Sequence, residues 1–424
     1  MTSHVHNILL SLLLTRLFRC DQHEELVLTV EDITNTGLGV GRIRLNNGTN
    51  WVVMVPLVLP DETVQIRIHR NHKNYSEADL IKVLNASKDR IEPECKYFSE
   101  CGGCQYQHMS ISAQREWKRK QVRSLLGKVG GIDGVKVNPT VGTQEYLYSY
   151  RAKLTPHYNA PKTVDDLKIG FQRRGTRVMV DVDECIIGTK SINEVYSTTR
   201  KDVAESVKKK LPKKGATLLF RECDEGVITD PRQTVTHTLK GIKFSFKAGE
   251  FFQNNHYVLP MLVDHVLKMA QGDGCNLLVD AYCGSGLFAL SASKLFDFVY
   301  GIEVSEIATS AATETAGLNN ICNVDFTCGV SERIFSKVSK LCTAENTVMI
   351  IDPPRKGCDQ SFLDQFAAFG PKKLVYVSCD PATQSRDAKF IIQNGYSIVD
   401  VTPFDLFPQT RHIENVITFI RDRA

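Results

Sequence analysis

LLVDAYCGSGLFAL, residues 277–290, decides how the second half of this chain folds. An apolar run ends in Asp280, a turn carries Gly284 and Gly286, and an apolar stretch resumes, which is the pattern of a buried strand turning into a helix. Glycines at such a turn let the backbone approach a ligand with no Cβ in the way. From about Gly249 onward the alternation recurs in DFVYGIEVS, VDFTCG, NTVMIIDPP, KKLVYVSCD, YSIVDVTPF and HIENVITFI. Apolar strands alternating with helices predict an α/β fold, a mostly parallel sheet covered on both faces, with ligands at the carboxyl ends of its strands. Glu303 ends the next strand, about twenty residues on, where an acid can accept hydrogen bonds from ribose hydroxyls.

Gly284-x-Gly286-x-x-Ala289 also satisfies the dinucleotide fingerprint, so a nicotinamide or flavin oxidoreductase stays open on this stretch alone. The later strand ends add chemistry. Asp352-Pro353-Pro354-Arg355 follows VMII, and paired prolines at a strand exit stiffen a turn that projects polar groups into the crevice, although the same sequence also serves as a plain strand terminator. Cys379 ends another strand immediately before Asp380-Pro381. A lone strand-end cysteine is ordinarily a small buried hydrophobe, and a lone Glu such as Glu414 is ordinarily solvated.

Outward from this region, 424 residues with 42% hydrophobic and 24% charged content suffice for two or three domains. A net charge of +4 steers a polyanion only weakly, so any such partner must meet local basic patches. Residues 26–83 read as a small β-barrel, with the glycines of GLGVG as hairpin glycines because no helical pattern follows them. SISAQREWKRKQVRSLLGKV collects Arg115, Lys118, Arg119, Lys120 and Arg123 on a helical stretch, read as a solvated face or a nucleic-acid footprint. Residues 145–245 mix strand-like and helical pieces without a clear period, and KKKLPKKG (208–215) reads as an exposed loop.

The longest apolar run, ILLSLLL (8–14), is too short to cross a bilayer, so no membrane partner is expected. The first twenty residues lack acids and carry Arg16 and Arg19, which suits an organelle transit peptide or a weak secretory signal; the transit reading, over 1–23, is preferred and predicts a mitochondrial location, with the cytoplasm as the alternative. Thirteen cysteines with no even disulfide framework fit a reducing compartment. CKYFSECGGCQYQ spaces Cys95, Cys101 and Cys104 as C-x5-C-x2-C, one ligand short of a four-thiolate site, and Cys185 in VDVDECII is the best fourth. Zinc suits such a set.

DPPRKGC (352–358), VSCDPAT (377–383) and DLFPQTRHIE (405–414) together resemble the signatures of the RNA uracil-5-methyltransferase family, and FFQNN (251–255) and DAYCGSG (280–286) are similar to its cofactor segments. The resemblance covers nearly the whole chain. Bacterial members usually show Ser-Cys-Asn-Pro where this chain has Ser-Cys-Asp-Pro (378–381), and Asn where it has Leu287; the second, with CKYFSECGGCQYQ and DLFPQTRHIE, looks like fungal-type tRNA enzymes. The resemblance implies an OB-like β-barrel (TRAM) over 24–88, a central α+β iron–sulfur and RNA-binding domain over 89–248, and a Rossmann-like S-adenosylmethionine-dependent methyltransferase domain over 249–424. It places Gln253, Tyr282, Glu303 and Asp352 on cofactor positions, and Cys95, Cys101, Cys104 and Cys185 on a [4Fe-4S] cluster, with zinc the alternative.

The family's chemistry explains the thiol and the acid. Uracil C5 is too poor a nucleophile to take a methyl group unaided; a thiolate added at C6 makes an enolate with negative charge at C5, and a base must afterwards remove the C5 proton. By the resemblance Cys379 is the nucleophile and Glu414 the base, while His412 is either structural or orients Glu414. The expected substrate is the T-loop uridine of tRNA, with ribosomal RNA second, and the expected protein is a monomer. A different class, a non-catalytic RNA-binding protein retaining the fold, is disfavoured by the presence of both Cys379 and Glu414.

Overall fold

The computed structural model describes residues 20–329, 338 and 342–422, so the leading segment read as a transit peptide lies, up to residue 19, outside the described residues. The chain divides into two compact units: residues 1–114 with 409–411, and residues 115–408 with 412–424.

The first unit is built on strands β1 (Glu25–Thr29), β2 (Asp32–Ile33), β3 (Gly39–Arg44), β4 (Asn50–Val55), β5 (Thr63–Asn71) and β6 (Tyr75–Asn85), in the order β1-β5-β6-β4-β3-β2. Only β4 and β6 pair in parallel. Every second residue points inward, so Val53 and Val55 of β4 meet Val64, Ile66 and Ile68 of β5 in one core. The GLGVG glycines serve strand packing, as their hairpin reading expects: a Cβ on Gly41 would come within 2.4 Å of the Thr29 carbonyl oxygen.

The first strands of the second unit are short: β7 (Lys153–Leu154), β8 (His157–Tyr158), β9 (Ile169–Gln172), β10 (Met179–Asp181), β11 (Ala216–Thr217), β12 (Phe220–Cys223), β13 (Gly226–Ile228), and the hairpin β14 (Thr234–Leu239) with β15 (Ile242–Lys247). The helix Lys190–Lys209 packs on them through Ile192 and Tyr196, against Leu154, Ile169 and Phe220. Elements of two to four residues are too short to show a period, which is why this region is opaque in the sequence.

Seven strands then form one sheet: β16 (Leu277–Ala281), β17 (Phe298–Glu303), β18 (Val324–Cys328), β19 (Thr347–Ile351), β20 (Lys373–Ser378), β21 (Tyr396–Phe404) and β22 (Glu414–Arg421), ordered β18-β17-β16-β19-β20-β22-β21. Five are parallel; β22 pairs antiparallel with both β20 and β21. Alternate residues feed two separate cores: Leu278, Val299, Ile350 and Val375 face one side, and Val279, Tyr300, Ile351 and Tyr376 the other. A sheet covered on both faces needs continuous apolar strands, and that is what these segments are.

The basic stretch departs from its readings at two of its five cations. In the helix Ile111–Leu125, Arg115 and Lys118 are buried while Lys120 and Arg123 are exposed. Lys118 Nζ donates to Asp405 Oδ1 at 2.6 Å and to the Phe407 carbonyl at 3.1 Å, and Arg115 Nε lies 3.3 Å from Asp405 Oδ2. Asp405 is fully buried, and a carboxylate so placed must be paired, so it draws two cations inward from what reads as a surface stripe. Among the described residues no helix is long and apolar enough to cross a membrane.

Candidate active site

Strand order reverses between β16 and β19, the switch point at which open α/β sheets bind ligands. The turn after β16 is the glycine-bearing one. Tyr282, Gly284 and Gly286 all take positive φ, of 65°, 54° and 83°. A Cβ on Gly286 would meet Leu290 Cδ1 at 2.9 Å, whereas one on Gly284 would meet nothing within 4 Å. Gly286 is therefore a packing requirement, and Gly284 borders open space.

Two acids fasten this turn. Asp280, wholly buried, accepts from the Ala289 amide at 2.8 Å, and burial lifts its carboxyl well above the usual range. Glu303 accepts from the Gly284 amide at 3.0 Å and the Ser305 amide at 2.8 Å. A carboxylate has about four acceptor sites, so Glu303 keeps capacity for further hydroxyl donors.

The remaining groups arrive from neighbouring strands. Asp352 follows β19, Cys379 follows β20, and Glu414 begins β22. Because β22 runs antiparallel, with Asn415 opposite Ser378, its first residue lies at the edge where β20 ends. Gln253, Tyr282, Glu303, Asp352, Cys379 and Glu414, the six residues expected from the sequence, all line one cavity of about 930 Å³.

The electrostatics are those of acids crowded in a dry place. Burial pushes the Cys379 thiol up to about 12, with Glu414 and Asp352 adding to the rise and Arg355 opposing it through its charge and a hydrogen bond. Burial lifts Asp352 to about 7, and burial with the Asp352 charge lifts Glu414 well above the carboxylate range, again against Arg355. Arg355 is thus the nearby cation for both the thiol and the acid. It belongs to the quoted DPPRKGC motif but has no role in the sequence reading; its place directly after the proline pair is the only signal that marks it. Its Nη2 lies 3.3 Å from His412 Nδ1, so His412 sits beside the cation that faces Glu414 and Cys379.

The segment carrying Arg355 is held from the helix Pro381–Gln393, which starts just after Cys379. Asp387, fully buried, accepts from the Cys358 amide at 2.9 Å and the Tyr376 hydroxyl at 2.8 Å, and Arg386 Nη2 donates to the Lys356 and Cys358 carbonyls at 3.0 and 3.2 Å. Gln384 of the same helix accepts from Asn415 Nδ2 at 2.7 Å and donates to its carbonyl at 3.1 Å. The residue after Glu414 is thereby tied to the helix that follows Cys379.

The four expected cluster thiols are distributed differently. Cys95, Cys101 and Cys104 belong to the first unit and Cys185 to the second. The Gly103 amide donates to Cys101 Sγ at 3.4 Å, a contact that suits a thiolate ligand. Among the described residues, however, no group of three or more Cys, His, Asp or Glu side chains is gathered as a metal site.

Comparison with known proteins agrees with this geometry. Residues 186–422 match the tRNA (Uracil-5-)-methyltransferase family, and residues 22–81 match the TRAM domain. The chain is 36% identical to the tRNA (uracil(54)-C(5))-methyltransferase of Schizosaccharomyces pombe, over 95% of this chain and 79% of that protein. With the Saccharomyces cerevisiae protein of the same name it shares 32% identity over 91% and 72% of the respective chains. The solved tRNA (uracil-54, C5)-methyltransferase of Pyrococcus abyssi, in complex with S-adenosyl-L-homocysteine, matches with a TM-score of 0.70 at 22% identity, covering 93% of this chain and 100% of that one, which shows a common fold. An S-adenosylmethionine-dependent methyltransferase fold, a TRAM module and these identities place the chain in the tRNA (uracil-5-)-methyltransferase family.

Proposed function

We propose that this protein methylates C5 of the uridine at position 54 in the T-loop of tRNA, with Cys379 as nucleophile and Glu414 as proton acceptor. The observation that carries the reading is the meeting of Cys379, Glu414, Asp352 and Arg355 in one cavity at a single edge of the sheet. Attack of the Cys379 sulfur on C6 forms a C–S bond and sends the C5=C6 π pair toward O4, leaving an enolate with charge at C5. The electron pair at C5 would then take a methyl group from S-adenosylmethionine, the S–CH3 bond breaking so that S-adenosylhomocysteine leaves. Glu414 removes the remaining C5 proton, the C5=C6 bond re-forms, and the C6–S bond breaks to return the thiolate. Burial makes Glu414 a stronger base than a carboxylate in water, and Arg355 supplies the positive charge that opposes the rise of both it and the thiol.

Gln253, Tyr282, Glu303 and Asp352 would hold the methyl donor: Glu303 has spare acceptor capacity beside Gly284, and the space open at Gly284 leaves the backbone approachable. Incubating unmodified tRNA with tritium-labelled donor and mapping the product tests the assignment. Label at uridine 54, abolished by Cys379→Ala, is expected. Glu414→Gln should trap a covalent protein–RNA adduct that migrates slowly on denaturing gels. Label only in ribosomal RNA, or an active alanine variant, would defeat the substrate or the mechanism respectively.

Cys95, Cys101, Cys104 and Cys185 are proposed to hold a [4Fe-4S] cluster, supported by their spacing and by the amide donor on Cys101. Uracil methylation needs no redox step, so the cluster's part would be to fold the central region, 89–248, between a TRAM region over 24–88 and a catalytic region over 249–424. Iron and acid-labile sulfide on anaerobically purified protein would support it; stoichiometric zinc without sulfide would replace it. A monomer in the mitochondrion completes the proposal, and fractionation with size-exclusion chromatography checks both.

A further inference from the structure

Two cations stand directly opposite each other on adjacent antiparallel strands: Arg221 of β12 pairs in register with Lys153 of β7. Like charges so placed repel, so the arrangement requires a compensating use. Arg221 is 1% exposed. Its Nε donates to the Ala248 carbonyl at 3.3 Å, Nη1 to Asn254 Oδ1 at 3.1 Å and the Phe252 carbonyl at 3.5 Å, and Nη2 to the Glu250 carbonyl at 2.7 Å. Lys153 Nζ donates to the carbonyls of Gly249 at 2.8 Å and Glu250 at 3.2 Å. All these acceptors are carbonyl or amide oxygens of residues 248–254, a stretch outside any helix or strand that has no sheet ladder to occupy them. The ring of Phe246, which also lines the cavity, lies 5.4 Å from the guanidinium and stacks on Phe252 at 4.5 Å.

Gln253 sits inside this caged stretch, flanked by two of the gripped residues, and faces the cavity. We infer that Arg221 and Lys153 form a positioning dyad that fixes the 248–254 segment by its carbonyls and so holds Gln253 against the methyl donor. The inference rests on the proposed reading of the cavity as the donor site. Neither cation touches the reacting atoms; each acts through the loop. Arg221 carries the larger share because its planar fork reaches four acceptors at once, which an ammonium cannot reproduce.

The test uses full-length Arg221→Met, Arg221→Lys and Lys153→Gln, with calorimetric binding of S-adenosyl-L-homocysteine, steady-state parameters for donor and tRNA separately, and melting curves. Loss of several buried hydrogen bonds to the loop should raise the homocysteine Kd and the donor KM of Arg221→Met at least about tenfold. The tRNA KM and kcat at saturating donor should stay within about threefold, since Cys379 and Glu414 lie on other elements. Arg221→Lys should recover part of the affinity, and Lys153→Gln should lose less than Arg221→Met. If Arg221→Met does not fold, the other two variants supply the comparison. Unchanged homocysteine affinity in the folded variants, or equal losses toward donor and tRNA, overturns the inference. Wild-type protein that binds no homocysteine would instead overturn the reading of the cavity.

Discussion

Lys118→Met is the most informative single substitution outside the cavity, because both partners of the ion pair it breaks are fully buried. The methionine fills the lysine's volume without its charge and leaves Asp405 with Arg115 alone, 3.3 Å away. Removing one member of a buried ion pair typically costs 3–5 kcal/mol, and the surviving Arg115 contact argues for the lower end, about 3 kcal/mol. In a chain of this size that corresponds to a fall in melting temperature of roughly 3 °C.

Lys118 also holds the Phe407 carbonyl, while Asn255 Nδ2 holds the Leu406 carbonyl at 2.8 Å and the Tyr150 hydroxyl holds that of Pro408 at 2.9 Å. Loosening this segment should lower kcat about tenfold, through the short loop that leads to Glu414, with donor KM unchanged. Urea unfolding gives the stability loss and steady-state kinetics the second effect. The decisive control is the double variant Lys118→Met/Asp405→Leu, which removes the half-paired carboxylate while Arg115 keeps the Thr143 carbonyl as acceptor, and which should be more stable than Lys118→Met alone. A loss below about 1 kcal/mol, or a double variant whose losses simply add, would refute the claim that buried Asp405 draws the basic residues inward.

Three further outcomes follow from the same electrostatics. With its thiol pushed up to about 12, Cys379 in the empty enzyme should react with iodoacetamide at pH 8 far more slowly than exposed Cys322; Arg355→Met should slow it further, as peptide mapping would show, and a faster reaction would contradict the assigned charge balance. His237 and His256 stack at 4.1 Å, and burial, aided by the His256 charge at His237 and by the Arg221 charge at His256, holds each near 4, below the ordinary 6.5. Such bases fold neutral, so the unfolded chain binds more protons between pH 6.5 and 4 and stability should fall as pH drops through that window, by about 4 kcal/mol for the pair between pH 7 and 5, and by less in His237→Phe, as urea titration at the two pH values would show. Gln384→Ala should reduce kcat about tenfold with little change in either KM, because it frees the strand end bearing Glu414 from the helix behind Cys379; equal falls in affinity would count against that role.

The strand ends were legible because their chemistry is local: a glycine turn, a proline pair and a thiol each announce themselves within a few residues. Lys118 and Arg115 were not, since nothing in a helical charge stripe reveals a buried acid at position 405. Arg355 stood inside a recognised motif without a role of its own, and its meaning comes from crowding by Cys379 and Glu414. Arg221 was less visible still, one basic residue in a region of strands only two to four residues long, whose partners are main-chain oxygens that carry no sequence signal. For the cysteines, spacing was readable and ligation is a matter for the iron and sulfide assay.

The direction of β22 is the feature on which the chemistry turns. HIENVITFI reads as one more apolar strand, and a mostly parallel sheet would have had it run with its neighbours. Eight residues of strand extend about 26 Å. Had Glu414–Arg421 run parallel to β20, its first residue would have stood at the opposite edge of the sheet, more than 20 Å from Cys379 and out of reach of any base bonded to that thiol. The antiparallel pairing of β21 and β22 returns the chain so that Asn415 faces Ser378, and the residues just beyond that pair at the sheet edge are Glu414 and Cys379, the proposed base and nucleophile. A substitution that shifted this register by one residue would turn Glu414 to the other face of the sheet and should abolish proton removal while leaving the thiol able to add.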